Sequence, residues 1–149
     1  MNIPKKDAPD QRLAAGEETQ HFVWSTDKEK QLLFIEIKDN FSDYDLLNFV
    51  PRIWEENPEI LWYDTVVDYR RLGIRNNWTW GAMKEVGRRW ADFSQGCDTR
   101  SRVAVLTENY WLTQIVNNAL AFVFPGSRFR CFKDLDMAIA WATGADEPD

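Results

Sequence analysis

The sequence predicts an α/β fold: a mostly parallel sheet of about five strands, with an antiparallel N-terminal edge strand, covered by about four helices. Short runs rich in β-branched and aromatic residues, such as "QLLFIEI", "EILWYDTVVDY" and "SRVAVLT", are separated by stretches of helical periodicity. Read in order the elements are β, β, α, β, α, β, α, β, α, an alternation that implies right-handed crossovers between parallel strands. The chain's 149 residues suit one core, burying about two thirds of the unfolded surface.

Residues 1–20 mix charges with Pro4, Pro9 and Gly16 and carry almost no large apolar side chains. Nothing there offsets the entropy of ordering, so a loose tail is expected. "HFVWST" and "QLLFIEI", joined by the polar "DKEK", predict an antiparallel hairpin that starts the sheet. Ser42, Asp43 and Asp45 then place a capping hydroxyl and two carboxylates at the positive end of a helix running through Leu46, Phe49, Ile53 and Trp54. Pro51 lacks an amide hydrogen and crowds the carbonyl four residues back, so this helix is expected to kink or split.

"EILWYDTVVDY" is the candidate central strand. From Trp78, about 100° per residue gathers Ala82, Met83, Val86, Trp90 and Phe93 into one arc and leaves Trp80 outside it. A single helix over about 110–123 puts Leu112, Ile115, Val116, Ala119, Phe122 and Val123 on one face, with Leu120 and Phe124 off it. "PG" ends that helix. "RFRCF" is the last strand, where Arg128 and Arg130 indicate a sheet edge, and "KDLDMAIAWATG" is a closing helix stopped by Gly144. One domain is therefore expected over 21–143, with an acidic tail over 144–149.

A net charge of −6 argues against a nucleic-acid binder. Between 70 and 102, Arg70, Arg71, Arg75, Lys84, Arg88, Arg89, Arg100 and Arg102 stand against Glu85, Asp92 and Asp98. That surplus of five leaves −11 on the rest of the chain. Either these cations pair with acidic neighbours, or an anionic partner meets the 70s loop. Cys97, Cys131 and His21 cannot assemble a zinc pattern, so no metal or other cofactor is expected, and a reduced, cytoplasmic setting follows. The N-terminus lacks the order of a signal peptide and no apolar run nears the ~18 residues of a membrane span, so stable membrane insertion is not expected.

"VVDYRR", then "SRVAVLTENYWLTQIVNNALAFVF", then "RFRCFKDLDMAIAWATG" resemble the SpoIIAA-like family, relatives of the STAS domains of sulphate transporters and anti-sigma-factor antagonists. The resemblance covers about residues 31–143. It implies a STAS-like fold shared with lipid-carrying domains and, in STAS adaptors, a phosphorylated serine or threonine at the helix start after the central strand. Here the matching stretch, "DYRRLGIRNNWTWG", lacks the Asp-Ser-Ser-Gly type signature and offers Thr79 as its Ser or Thr hydroxyl, so no phosphosite is carried over.

Asp68, at the carboxyl end of the central strand, can serve as a base or cation ligand, or cap a turn and pair with Arg70 or Arg71. Asn77, Trp78, Thr79 and Trp80 open a helix whose free amides, with Arg70, Arg71 and Arg75, suit an anion; the plainer reading is a cap at Asn77 or Thr79 with one indole packed inward. Leu120 and Phe124, with Tyr110 and Trp111 upstream, either form a dimer contact or lid, or pack in the core. The site is expected to unite Asp68 and Trp80 on one rim. The function expected is a non-catalytic regulatory or protein-interaction module, with a homodimer among the possibilities. The alternative is a carrier or sensor of a small apolar or anionic amphipathic ligand such as a lipid, with Arg70 or Arg71 taking an acidic head group. An enzyme working through Asp68 ranks last, because no second catalytic group is placed beside it.

Overall fold

The first paired element lies upstream of the expected hairpin. In the computed structural model, which describes residues 16–18, 21–38, 41–71 and 78–144, β1 (Gly16–Glu18) pairs antiparallel with β2 (Phe22–Asp27). Gly16 makes the approach possible, since a Cβ there would sit 2.8 Å from the Trp24 carbonyl oxygen. A salt bridge of 2.7 Å from Lys38 to Glu18 ties the far end of β1. Part of the stretch read as tail is thus an edge strand, and β2 lies one place inside the edge.

β2 forms the predicted hairpin with β3 (Leu32–Ile37). The chain then crosses over three times to add β4 (Asp64–Asp68), β5 (Ser101–Leu106) and β6 (Ser127–Phe132), each parallel to its predecessor, in the sheet order β1-β2-β3-β4-β5-β6. The last strand is an edge, as its two arginines suggested. Because each parallel strand is laid beside the one before it, crossovers of one hand place every connecting helix on the same face. That face carries α1 (Asp43–Asn48), α2 (Val50–Glu55), a 3₁₀ turn (Pro58–Trp62), α3 (Trp80–Ser94), α4 (Tyr110–Asn118) and α5 (Leu120–Val123). The opposite face is covered by α6 (Leu135–Ala142), whose Ala138, Trp141 and Ala142 pack on Leu32, Val66, Ala104 and Leu106.

The break between α1 and α2 falls next to Pro51, which occupies the first turn of α2 where a missing amide costs nothing. A second break was not predicted. At Ala119 the backbone leaves helical geometry (φ −134°, ψ −34°) and α5 restarts in a new phase. The continuous helix expected over 110–123 is therefore wrong in its second half: Leu120 turns inward to 7 % exposure and Phe122 turns out to 85 %. α3 keeps the predicted face, with Ala82, Met83, Val86 and Trp90 buried and Trp80 outside.

α3 and α5 meet at Gly87, where an added Cβ would overlap the carbonyl oxygen and Cγ1 of Val123. Gly87→Ala is expected to destabilise the protein by about 1–3 kcal/mol through overpacking, although alanine is the better helix former. Gly81→Ala, whose Cβ would meet nothing closer than Thr79 Oγ1 at 4.0 Å, is expected to stabilise it by about 0.5 kcal/mol or more. Denaturant midpoints of the two variants check both signs.

Candidate functional site

Successive strand residues point to opposite faces of the sheet, so each strand feeds two different environments. On the side of α1 to α5 lies a cavity of about 150 Å³. Ile35, Val67 and Val105 line it from the sheet, and Trp54, Trp90 and Leu120 from the helices, with Phe124 completing the wall. No charged side chain is among the described residues that line it. Thr65, Ser101 and Ser127 line it near the amino ends of the strands, as does Tyr63, while Tyr69 lines it past the carboxyl end of β4. The hydroxyls of Ser101 and Ser127 are 3.2 Å apart, and Thr99 Oγ1 donates to Ser101 Oγ at 3.0 Å. One polar atom is left over. Trp54 Nε1 is buried and meets no hydrogen-bond partner among the described residues, an arrangement that costs about 1–3 kcal/mol.

The other parity of β4 carries Val66 and Asp68 to the α6 face. Asp68 Oδ1 accepts from the backbone amide and Nε of Arg70, both at 3.0 Å, and Oδ2 from the second guanidinium nitrogen at 2.9 Å. Burial raises the pKa of this carboxyl, but the hydrogen bonds and charge of Arg70 outweigh that and hold it below its ordinary value. A second acid does stand beside it. Glu36 is the register partner of Asp68 on β3 and lies 3.8 Å from Arg71. The sequence reading missed Glu36; only the β3–β4 register, two crossover ends apart in the chain, reveals it. Each carboxylate faces its own arginine, so the four side chains form an ion-pair cluster.

Asp68 and Trp80 both stand at the carboxyl ends of the parallel strands, as expected, but strand parity turns Asp68 to the α6 face while α3 packs on the other face. The cap is Thr79, whose Oγ1 accepts from the Ala82 amide at 3.2 Å. Its own amide and hydroxyl donate to the two oxygens of Asp43, at 2.6 and 2.8 Å. The anion expected at this helix start is therefore a carboxylate of the chain itself, delivered by the first residue of α1. Trp78 packs inward against the hydroxyl of buried Tyr69, whose pKa burial drives far upward. Arg75 and Asn77 lie outside the described residues.

Trp80 joins a group the sequence only partly indicated. α1, α3 and α4 all start at the carboxyl ends of parallel strands, and the first turn of each presents an aromatic side chain to solvent: Tyr44 (66 % exposed), Trp80 (40 %), Tyr110 (67 %) and Trp111 (74 %). Tyr110 and Trp111 stack edge to face at 5.9 Å. Leu120 and Phe124, grouped with them in the sequence, line the cavity instead.

Five of the described cations of the 70–102 segment, Arg70, Arg71, Arg88, Arg89 and Arg100, face acidic groups of the chain, while Arg102 donates to the Trp141 carbonyl. Arg88 bridges Glu85 and Asp92, Arg89 holds Glu55 and the Leu47 carbonyl, and Arg100 faces Asp98. Ser42, Asp45 and His21 also converge, but Ser42 Oγ donates to Asp45 Oδ2 (3.1 Å), the same oxygen that His21 Nδ1 approaches at 2.8 Å. Asp45 Oδ2 also accepts from the Ser42 backbone amide at 2.9 Å, which caps α1, so both the serine and the imidazole are directed at this carboxylate. Burial raises the pKa of the Cys131 thiol, which keeps it protonated. Among the described residues no three His, Cys, Asp or Glu side chains group as metal ligands, and no helix is long and apolar enough to cross a membrane.

Asp68→Asn tests the ion-pair role. A carboxyl with a lowered folded-state pKa adds stability above its unfolded value of about 3.9, and that contribution disappears as pH falls through the folded value. The variant is expected to be less stable by about 1 kcal/mol at pH 7 and to converge with the parent as pH falls through the lowered folded value. Thermal unfolding across pH reads both limits.

Comparison with known proteins agrees with this architecture. A crystal structure of an uncharacterized protein of the DUF3478 family with a SpoIIAA-like fold, from Shewanella loihica PV-4, superposes with a TM-score of 0.53 at 15% identity, covering 87% of this chain and 91% of that one. No match is found among curated proteins. The SpoIIAA-like family profile matches residues 32–143, from the first residue of β3 to the residue after α6. The chain belongs to the SpoIIAA-like family.

Proposed function

We propose that this protein is a non-catalytic binding module whose contact surface is the aromatic crest at the carboxyl ends of the parallel strands. The observation that carries the reading is the exposure of Tyr44, Trp80, Tyr110 and Trp111 in the first turns of three helices. Aromatic side chains held out on rigid helix starts lose little entropy on binding, and Trp and Tyr dominate the energetics of protein interfaces. Regular elements fix the crest from below: Asp43 bolts α1 to the start of α3, and Asn109 caps α4 by accepting from the Trp111 and Leu112 amides. The candidate chemical groups are otherwise engaged, with Asp68 on Arg70 and Glu36 on Arg71. The partner is a protein, with a second copy of this chain among the candidates.

The test is quantitative capture with the parent and a Trp80→Ala, Trp111→Ala double variant, followed by titration of the purified captured protein. Loss of two central aromatics is expected to weaken binding at least a hundredfold, since each such residue contributes about 2 kcal/mol or more. Thermal stability should change little, because both rings are exposed. Unchanged affinity, or unfolding of the double variant, would remove the crest as the contact surface.

A further inference from the structure

We propose that the cavity between the sheet and α1 to α5 is a binding site for one small, uncharged, largely apolar molecule bearing a hydrogen-bond acceptor, and that Trp54 is the donor that orients it. This site is separate from the aromatic crest, whose residues do not line it, so either proposal can fail without the other.

Size sets the first limit. A cavity of about 150 Å³ takes up a single ring such as benzene, so a ligand of about six to ten non-hydrogen atoms is housed within it and a long acyl chain is not. Charge sets the second. With only uncharged described residues in the wall, an ionised head group would be buried without a partner. Arg70, once a candidate for that head group, is engaged by Asp68 on the other face.

The third limit comes from hydrogen bonding. Trp54 lines the cavity, is 7 % exposed, and stands edge to face with Trp90 at 5.2 Å and 82°, so its indole is fixed in orientation. Its Nε1 can only donate and is unpaired among the described residues. The ligand's complement is therefore an acceptor such as a carbonyl or ether oxygen. The hydroxyls at the far end make no equal demand, because Ser101 and Ser127 bond each other. A donor without a protein partner in an apolar wall favours a molecule that brings an acceptor to it, and a molecule of this class does so.

Acetophenone and ethylbenzene have nearly the same shape and differ in the acceptor. Titration of the full chain with each, followed through tryptophan Nε1–H NMR signals assigned with single Trp→Phe variants, is expected to show saturable one-to-one binding. Only acetophenone should move the Trp54 signal downfield. Trp54→Phe should reduce the preference for acetophenone over ethylbenzene about tenfold, the effect of one hydrogen bond. Val103→Phe, which fills the void, should abolish binding of both. The proposal is overturned if neither compound binds the parent chain saturably, if acetophenone leaves the Trp54 signal unmoved, if Val103→Phe still binds, or if dodecanoate binds more tightly than acetophenone. The parent titration decides the matter even where a variant fails to fold.

Discussion

The two-residue alternation of the parallel strands, applied to β3, β4 and β5 in register, is the constraint from which the rest of the molecule follows. Leu32, Val66 and Ala104 fall on one face, and Leu33, Thr65 and Val103 on the other. Because the strands lie in sequence order, every crossover helix is driven to a single face and only α6 remains to cover the second. The same parity carries Asp68 and Glu36 to the α6 side and Val67 and Tyr69 to the cavity wall. A slip of one residue in β4 would exchange these roles and bury two carboxylates against α3.

This arrangement divides the chemistry into three places. Charged groups at the strand ends neutralise one another: Asp68 and Glu36 by Arg70 and Arg71, and the start of α3 by Asp43. The interior of the larger layer holds a cavity lined, among the described residues, by uncharged side chains, with the buried Trp54 Nε1 unpaired. Four exposed aromatic side chains, Tyr44, Trp80, Tyr110 and Trp111, stand in helix starts at the crest, apart from Phe122 on α5 and Trp62 at the end of the 3₁₀ turn. Recognition by stacking and burial is the function we propose from these features.

The fold was legible in the sequence because it depends on local signals. Strand composition, the Ser42 cap, Pro51 and the Gly144 stop each act within a few residues, and the family resemblance over the body agreed with them. The site was less legible because its contacts are long-range. Glu36 and Asp68 become neighbours only through strand register, and Thr79 meets Asp43 across 36 positions of sequence. Leu120 was misplaced because helical phase was carried through Ala119, where no Pro or Gly announces the break. Gly16 was read as a sign of looseness, yet the absence of a side chain there is what lets β1 close on Trp24. For Trp78 and Trp80 the helical phase sufficed to tell the inward ring from the outward one.

The eight tryptophans sample every one of these environments, and a soluble paramagnetic agent reads their exposure directly from the indole Nε1–H signals. The account predicts that Trp62, Trp80 and Trp111 broaden at low concentrations of the agent, while Trp24, Trp54, Trp78, Trp90 and Trp141 stay sharp. Protection of Trp80 and Trp111, or broadening of Trp54 and Trp90 alongside them, would contradict the division between an exposed aromatic crest and a buried apolar interior.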